Sequence, residues 1–207
     1  KRQIQSDGLT HSSIWCIVKD NQGTLWLGTY FGGVNYFNPE YEIYTRYSYS
    51  SNEKQGLSNP VVGRTIEDKN GNLWIGTEGG GLNYFNRRTR EFKWYRPQEG
   101  RNSISHNNVK ALYYDADKEI IWIGTHLGGM NRLDIRSGHF THYRMEDNNQ
   151  QTLPSDIVRD IIPYKDLLIV ATQNGVCLFE PDSGKCRQLF KDSKEGKSIQ
   201  MVAHILL

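Results

Sequence analysis

One four-residue pattern returns along the chain at a nearly constant interval. Trp26-Leu27-Gly28-Thr29 recurs as Trp74-Ile75-Gly76-Thr77 and as Trp122-Ile123-Gly124-Thr125, 48 positions apart each time. A degraded copy, Ile169-Val170-Ala171-Thr172, follows 47 positions later. The flanks repeat with it: Gly32-Gly33-Val34-Asn35-Tyr36-Phe37 matches Gly80-Gly81-Leu82-Asn83-Tyr84-Phe85 and Gly128-Gly129-Met130-Asn131-Arg132-Leu133. Self-similarity at such a period means that one supersecondary unit is copied and stacked, each copy covering an apolar face of the next. That excludes most single-core architectures for 207 residues.

Each copy reads as four short strands, A to D. In the second they are roughly Val61 to Asp68, Asn72 to Thr77, Gly81 to Asn86 and Glu91 to Arg96, all rich in β-branched and aromatic residues. Asp68-Lys69-Asn70-Gly71, Glu78-Gly79-Gly80 and Arg87 to Arg90 supply the turns between them. Polar connections of about a dozen residues, such as Pro97 to Asn107, join the copies, and no stretch shows sustained helical periodicity.

Four strands per 40–50 residues is the pattern of a β-propeller blade. The expected fold is all-β, a β-propeller of four-stranded antiparallel blades with ~48-residue repeats. Blade 1 spans about 9–56, blade 2 about 57–103, blade 3 about 104–152 and blade 4 about 153–197, and a fifth begins at about 198–207. There Val202 aligns with Ile14, Val62, Val109 and Val158 of strand A, so the 207 residues read as one segment of a larger propeller of seven or more blades. Strand B is apolar on both faces, as in Leu73-Trp74-Ile75, which suits an interior sheet. Trp26, Trp74 and Trp122 are therefore expected to anchor one blade against the next.

Charge narrows the partners. Lys and Arg number 25 against 23 Asp and Glu, a net +2, so neither a nucleic-acid footprint nor a polybasic membrane patch is expected. No apolar run approaches the roughly 18 residues of a membrane helix, so no membrane contact is expected within this segment. Cys16, Cys177 and Cys186 are too few for a disulfide scaffold, although Cys177 and Cys186 flank a turn and could either pair or remain buried thiols.

Familiar chemistry is missing from the motifs. His139 and His142, three apart on an expected strand, point to opposite faces rather than to one metal. No nucleophile elbow, Walker loop or Cys-x-x-Cys appears, and no cofactor or catalytic residue is assigned. Gly79-Gly80-Gly81 matches the repeat turns and precedes no helix, so it reads as a turn rather than a phosphate cradle. Asp68-Lys69-Asn70-Gly71-Asn72-Leu73-Trp74 distantly resembles the Asp-box turns of sialidase-type propellers. Ile66 stands where those turns have Ser, and a glycosidase or lyase is the weakest of three readings.

Taken together, Asp68-x-x-Gly71-x-Leu73-Trp74-Ile75-Gly76-Thr77, the following glycines and Phe85-Asn86 resemble the two-component regulator propeller repeat. That repeat occurs in the periplasmic sensor region of Bacteroides-type hybrid two-component systems. Blade four departs from it at Ile169, Ala171 and Cys186, and blade three lacks the turn glycine in Asp115-Ala116-Asp117-Lys118. The resemblance implies a non-catalytic periplasmic sensor segment that binds oligosaccharide breakdown products and signals to a histidine kinase and transcriptional output. It also implies self-association of the parent protein. A protein-interaction or dimerisation scaffold is the alternative.

In such a meander the B–C and D–A loops share one face, and residues there that escape the repeat are free for recognition. Tyr30 and Phe31 could stack on a sugar, with Glu78, His126 and Gln173 as hydrogen-bonding groups and His106 and Asn107 beside them. Arg64, Lys110 and Arg159 on strand A could line a positive channel mouth for sulfated or uronic acid sugars. The plainer reading of each is a solvated loop residue or a local ion pair.

Overall fold

The computed structural model describes residues 9–38 and 43–189. The expected fifth copy, with Val202, lies outside them. The chain divides into two compact units. One holds the first two sheets together with Asn107–Val109, and the other holds Gln98–His106 and everything described from Lys110 onward.

The first unit contains β1 (Ile14–Lys19), β2 (Leu25–Thr29), β3 (Val34–Asn38) and β4 (Ile43–Tyr47), then β5 (Val62–Glu67), β6 (Leu73–Thr77), β7 (Gly81–Asn86) and β8 (Glu91–Tyr95). Each set of four forms one sheet in chain order. The second unit repeats this with β9 (Val109–Asp115), β10 (Ile120–Thr125), β11 (Met130–Asp134) and β12 (Phe140–Tyr143). Its other sheet is β13 (Val158–Tyr164), β14 (Leu167–Thr172), β15 (Gly175–Phe179) and β16 (Cys186–Leu189). Short turns between strands of period-2 polarity allow only this up-and-down order. The sole helical turn among the described residues is Glu53–Gln55.

The second strand of each sheet is covered on both faces: every residue of β6 and β10 is buried. In the first unit Trp26 packs across the two sheets onto Val62, Leu73 and Ile75, meeting Phe85 edge-on at 6.0 Å. In the second, Trp122 meets Phe179 edge-on at 5.4 Å among Met130, Val158, Val170 and Cys177. Both tryptophans are the inter-sheet anchors that the repeat predicts. Trp74 is equally buried and touches Tyr84 and Tyr95 of its own sheet.

The repeat residues now have mechanical reasons. A Cβ on Gly28, Gly76 or Gly124 would lie 2.6–2.7 Å from Val62, Val109 or Val158, each on the next sheet's first strand. Glycine is therefore the condition for close packing there. Gly33, Gly81 and Gly129 have φ of 76°, 79° and 68°, and a side chain would strike the carbonyl of Tyr47, Tyr95 or Tyr143 at 2.2–2.3 Å. The carbonyls of these same glycines accept from the buried hydroxyls of Thr29, Thr77 and Thr125, all at 2.9 Å.

The Asp-box-like turn also has a structural explanation. Asp20 accepts the backbone N–H groups of Gln22 and Thr24 through one oxygen and the Trp26 indole N–H through the other, at 2.8 Å. Asp68 does the same for Asn70, Asn72 and Trp74. The carboxylate ties the hairpin turn to the core tryptophan. In the third sheet Glu119, three residues before Trp122, takes the place of Gly23 and Gly71 and adopts their left-handed backbone at φ 54°.

Candidate functional site

The B–C loops are knitted to the D–A loops that follow them. Gly33 N–H donates to the Pro60 carbonyl, Gly81 N–H to Asn107 at 2.7 Å and Gly129 N–H to Asp156 at 2.8 Å. Glu78 bridges Asn108 in antiparallel fashion. The two loop sets therefore share a face, as a meander requires. Gly79 N–H also donates to the Asn107 carbonyl, so the triple-glycine loop spends its amides on the protein itself. Asn107 holds a loop through its main chain.

A second clamp fixes the same face and was not anticipated from the sequence. Asn83 accepts the Ser58 N–H and donates to the Ser58 hydroxyl, both at 2.8 Å. Asn131 makes the same pair with Ser105, and Asn35 with Thr10. The signal lay in the repeating Asn after the glycines and in a Ser or Thr some 25 positions earlier. Cys177 stands in place of Asn in the fourth sheet.

Aromatic side chains gather around β1 in the first unit. Tyr30 stacks on Trp15, with centroids 5.1 Å apart and planes 17° apart, and meets Phe31 edge-on at 4.4 Å. His11 completes the group, edge-on to both Tyr30 and Phe31. Trp15 is 48 % and Phe31 57 % exposed. The pairing of β1 with β2 shifts register between Ile14 and Cys16, at Trp15, and β13 shifts likewise between Val158 and Asp160, at Arg159. Bulges of this kind re-aim one side chain out of a ladder.

The second unit brings together His106 and His126. Burial, His126 and Arg144 all hold the His106 imidazolium below its ordinary pKa. Arg144 donates to the Leu127 carbonyl at 2.8 Å and pairs with Asp156 at 3.0 Å, fixing the exposed, left-handed Leu127 beside them. Arg159 reaches Gln173 at 3.5 Å, and its buried Nε has no hydrogen-bond partner among the described residues. Arg64 belongs to the first unit, whereas Lys110 and Arg159 belong to the second.

Cys177 and Cys186 are buried free thiols 3.3 Å apart. Their mutual hydrogen bond and burial push the Cys177 thiol up. Among the described residues no group of His, Cys, Asp and Glu is arranged to hold a metal ion, and no described helix is long and apolar enough to cross a membrane.

These repeats and sheets define a β-propeller assembly of four-stranded blades. Segments 8–31, 56–79 and 103–126 match the family model described as the two component regulator propeller. Three segments of the chain thus match that repeat, and the drifted fourth sheet lies outside them. No curated protein matches it. Among solved structures it is similar to the extracellular domain described as that of the hybrid two component system BT3049 from B. thetaiotaomicron. Identity there is 25 % and the TM-score 0.77, over 89 % of this chain and 25 % of that one. It is also similar to the extracellular domain described as that of the one component system BT4673 from the same organism, with 22 % identity and a TM-score of 0.72 over 91 % and 27 %. PorZ, a surface component of the type-IX secretion system of Porphyromonas gingivalis, shares the fold at 22 % identity and a TM-score of 0.63, over 89 % and 28 %. The chain spans about a quarter of the length of these three structures.

Proposed function

We propose that the chain is a non-catalytic sensor segment of a hybrid two-component system, one part of a larger propeller on the periplasmic side of the inner membrane. In this reading it binds oligosaccharide breakdown products and biases a downstream histidine kinase and its transcriptional output. The similarity to extracellular domains of such systems supports the class. The observation that carries ligand binding is the solvent-facing Trp15, Tyr30 and Phe31 cluster on a loop rigidified by the Thr29 and Gly33 clip. Flat aromatic faces complement the apolar faces of sugar rings, and a pre-ordered loop loses little entropy on binding. Glu78, His106, His126 and Gln173 would supply polar contacts from the same kind of loop.

Signalling requires a ligand whose affinity differs between two arrangements of the receptor. Calorimetric titration with an oligosaccharide panel tests the binding step. A binding sugar whose affinity falls about tenfold in Tyr30→Ala, the loss of roughly 1.4 kcal/mol, supports the reading. Absence of any saccharide binding contradicts it. The scaffold reading draws on the apolar side chains that β1 exposes, Ile17 at 60 % and Ile14 beside it. It gains if the chain self-associates and binds no sugar.

A further inference from the structure

The face opposite the loop face, where the A–B and C–D turns lie, carries a feature that neither the repeat nor the sensor reading requires. A cavity of about 430 Å³ opens there between the first two sheets. Half-buried Tyr36 and Tyr47 and buried Trp26 form its aromatic part, and three arginines of the β7–β8 turn, Arg87, Arg88 and Arg90, close over it. No Asp or Glu belongs to the described lining. A volume of this size with aromatic walls and a few convergent polar groups suits a small ligand.

The arginines divide the work. Arg87 is held as a wall by Asp20 at 2.9 Å and Glu67 at 3.1 Å, its guanidinium 5.3 Å from the Trp26 ring centroid. Those two carboxylates lie behind Arg87 and outside the lining. Arg88 and Arg90 are exposed at the mouth, with no side-chain hydrogen bond or ion pair among the described residues.

Arg90 shows independently that this turn is unusual. At the same position the third and fourth sheets have Gly138 and Gly184, with φ of 71° and 73°, and Arg90 adopts the same left-handed backbone at φ 58°. All three donate their N–H to the carbonyl four residues back, at 2.7–2.8 Å. A long cationic side chain thus occupies a position where two of the four copies have glycine, and the backbone bears the strain. At the rim of the cavity it sets a guanidinium where the third and fourth copies carry no side chain.

We propose that this cavity binds an acidic sugar residue, its ring against Tyr36 and Tyr47 and its carboxylate on Arg88 and Arg90. Guanidinium groups take a carboxylate through paired, charge-assisted hydrogen bonds, which a neutral sugar cannot match. Burial raises the Tyr47 phenol above its ordinary value, so it stays a neutral hydrogen-bond donor at physiological pH. The sugar part of the proposal rests on the saccharide-sensor reading, and the acid part rests on the arginines alone.

The test is calorimetry on the full chain with trigalacturonate, neutral galactotriose and inorganic sulfate, comparing wild type with Arg90→Gly and Arg88→Ala. Trigalacturonate is expected to bind at least tenfold more tightly than either probe and to lose at least tenfold in each variant. Arg90→Gly should melt no lower than wild type, because two sister turns use that glycine. Equal affinity for trigalacturonate and galactotriose, or unchanged trigalacturonate binding in Arg90→Gly, overturns the pocket and leaves the sensor reading standing. Sulfate binding as tightly as trigalacturonate overturns the sugar assignment, and no sugar binding at all overturns both.

Discussion

Gly124 has no room to be anything larger, with Val158 of the next sheet and Ala111 of its own both inside 3.0 Å of where a Cβ would sit. Gly124→Ala should cost about 1–3 kcal/mol, read as a lower urea midpoint with unchanged slope. An unchanged midpoint would mean that the sheets can part slightly at no cost. His106 offers a pH readout. Its folded-state pKa lies below the ordinary 6.5, so the folded chain binds fewer protons than the unfolded chain as pH drops through that region. The stability it contributes is present above about pH 6.5 and is lost as pH falls through the folded value. NMR titration should place the His106 midpoint below 6.5, and His126→Asn should move it upward. At this scale the sequence already marked Gly28, Gly76 and Gly124 through their period. It could not show the reason, because the clash is with a valine more than 30 residues away.

At the scale of elements, strands and turns were legible because their chemistry is local. Val61 to Asp68 and Asn72 to Thr77 were expected in the second copy, and β5 and β6 run Val62–Glu67 and Leu73–Thr77. The Asn–Ser clamps escaped because they join strand C to the loop before strand A, a pairing that only the folded meander creates. Asn131→Ala removes both bonds to half-buried Ser105, leaving its N–H without that acceptor while its hydroxyl keeps the Gly128 carbonyl. It should cost about 2 kcal/mol by chemical denaturation, and a loss under about 0.5 kcal/mol would mean that water replaces the side chain. The arginine turn was readable in principle. Arg87-Arg88-Thr89-Arg90 aligns with Ile135-Arg136-Ser137-Gly138, and a missing glycine at a repeat turn is a signal. Restoring it in Arg90→Gly should add about 1 kcal/mol, since the left-handed penalty falls on every residue with a Cβ. In the fourth sheet, where Trp, Gly and the aromatic of strand D are all replaced, Phe179 and the two cysteines still fill the core against Trp122.

For the whole molecule, the repeat gave the fold class from a single chain because stacking identical units makes every copy a witness to the same packing rules. Function is less legible, since it resides in the positions that the repeat leaves unconstrained. Tyr30, Phe31, Glu78, His106, His126 and Gln173 occupy such positions. The structure gathers Tyr30 with Phe31 and His106 with His126, each pair inside one compact unit. Lys110 and Arg159 share one position of strand A and Arg64 stands at the next, and strand position alone does not place charges around a common ligand. In the proposed function a saccharide is bound by loops that folding leaves free. Hydrogen–deuterium exchange with a binding oligosaccharide from the panel tests this most directly. Slowed exchange in the peptide spanning Thr29 to Gly33, with the buried strands β6 and β10 unchanged, is the predicted result. Exchange unaltered in that loop while the sugar is bound would contradict it.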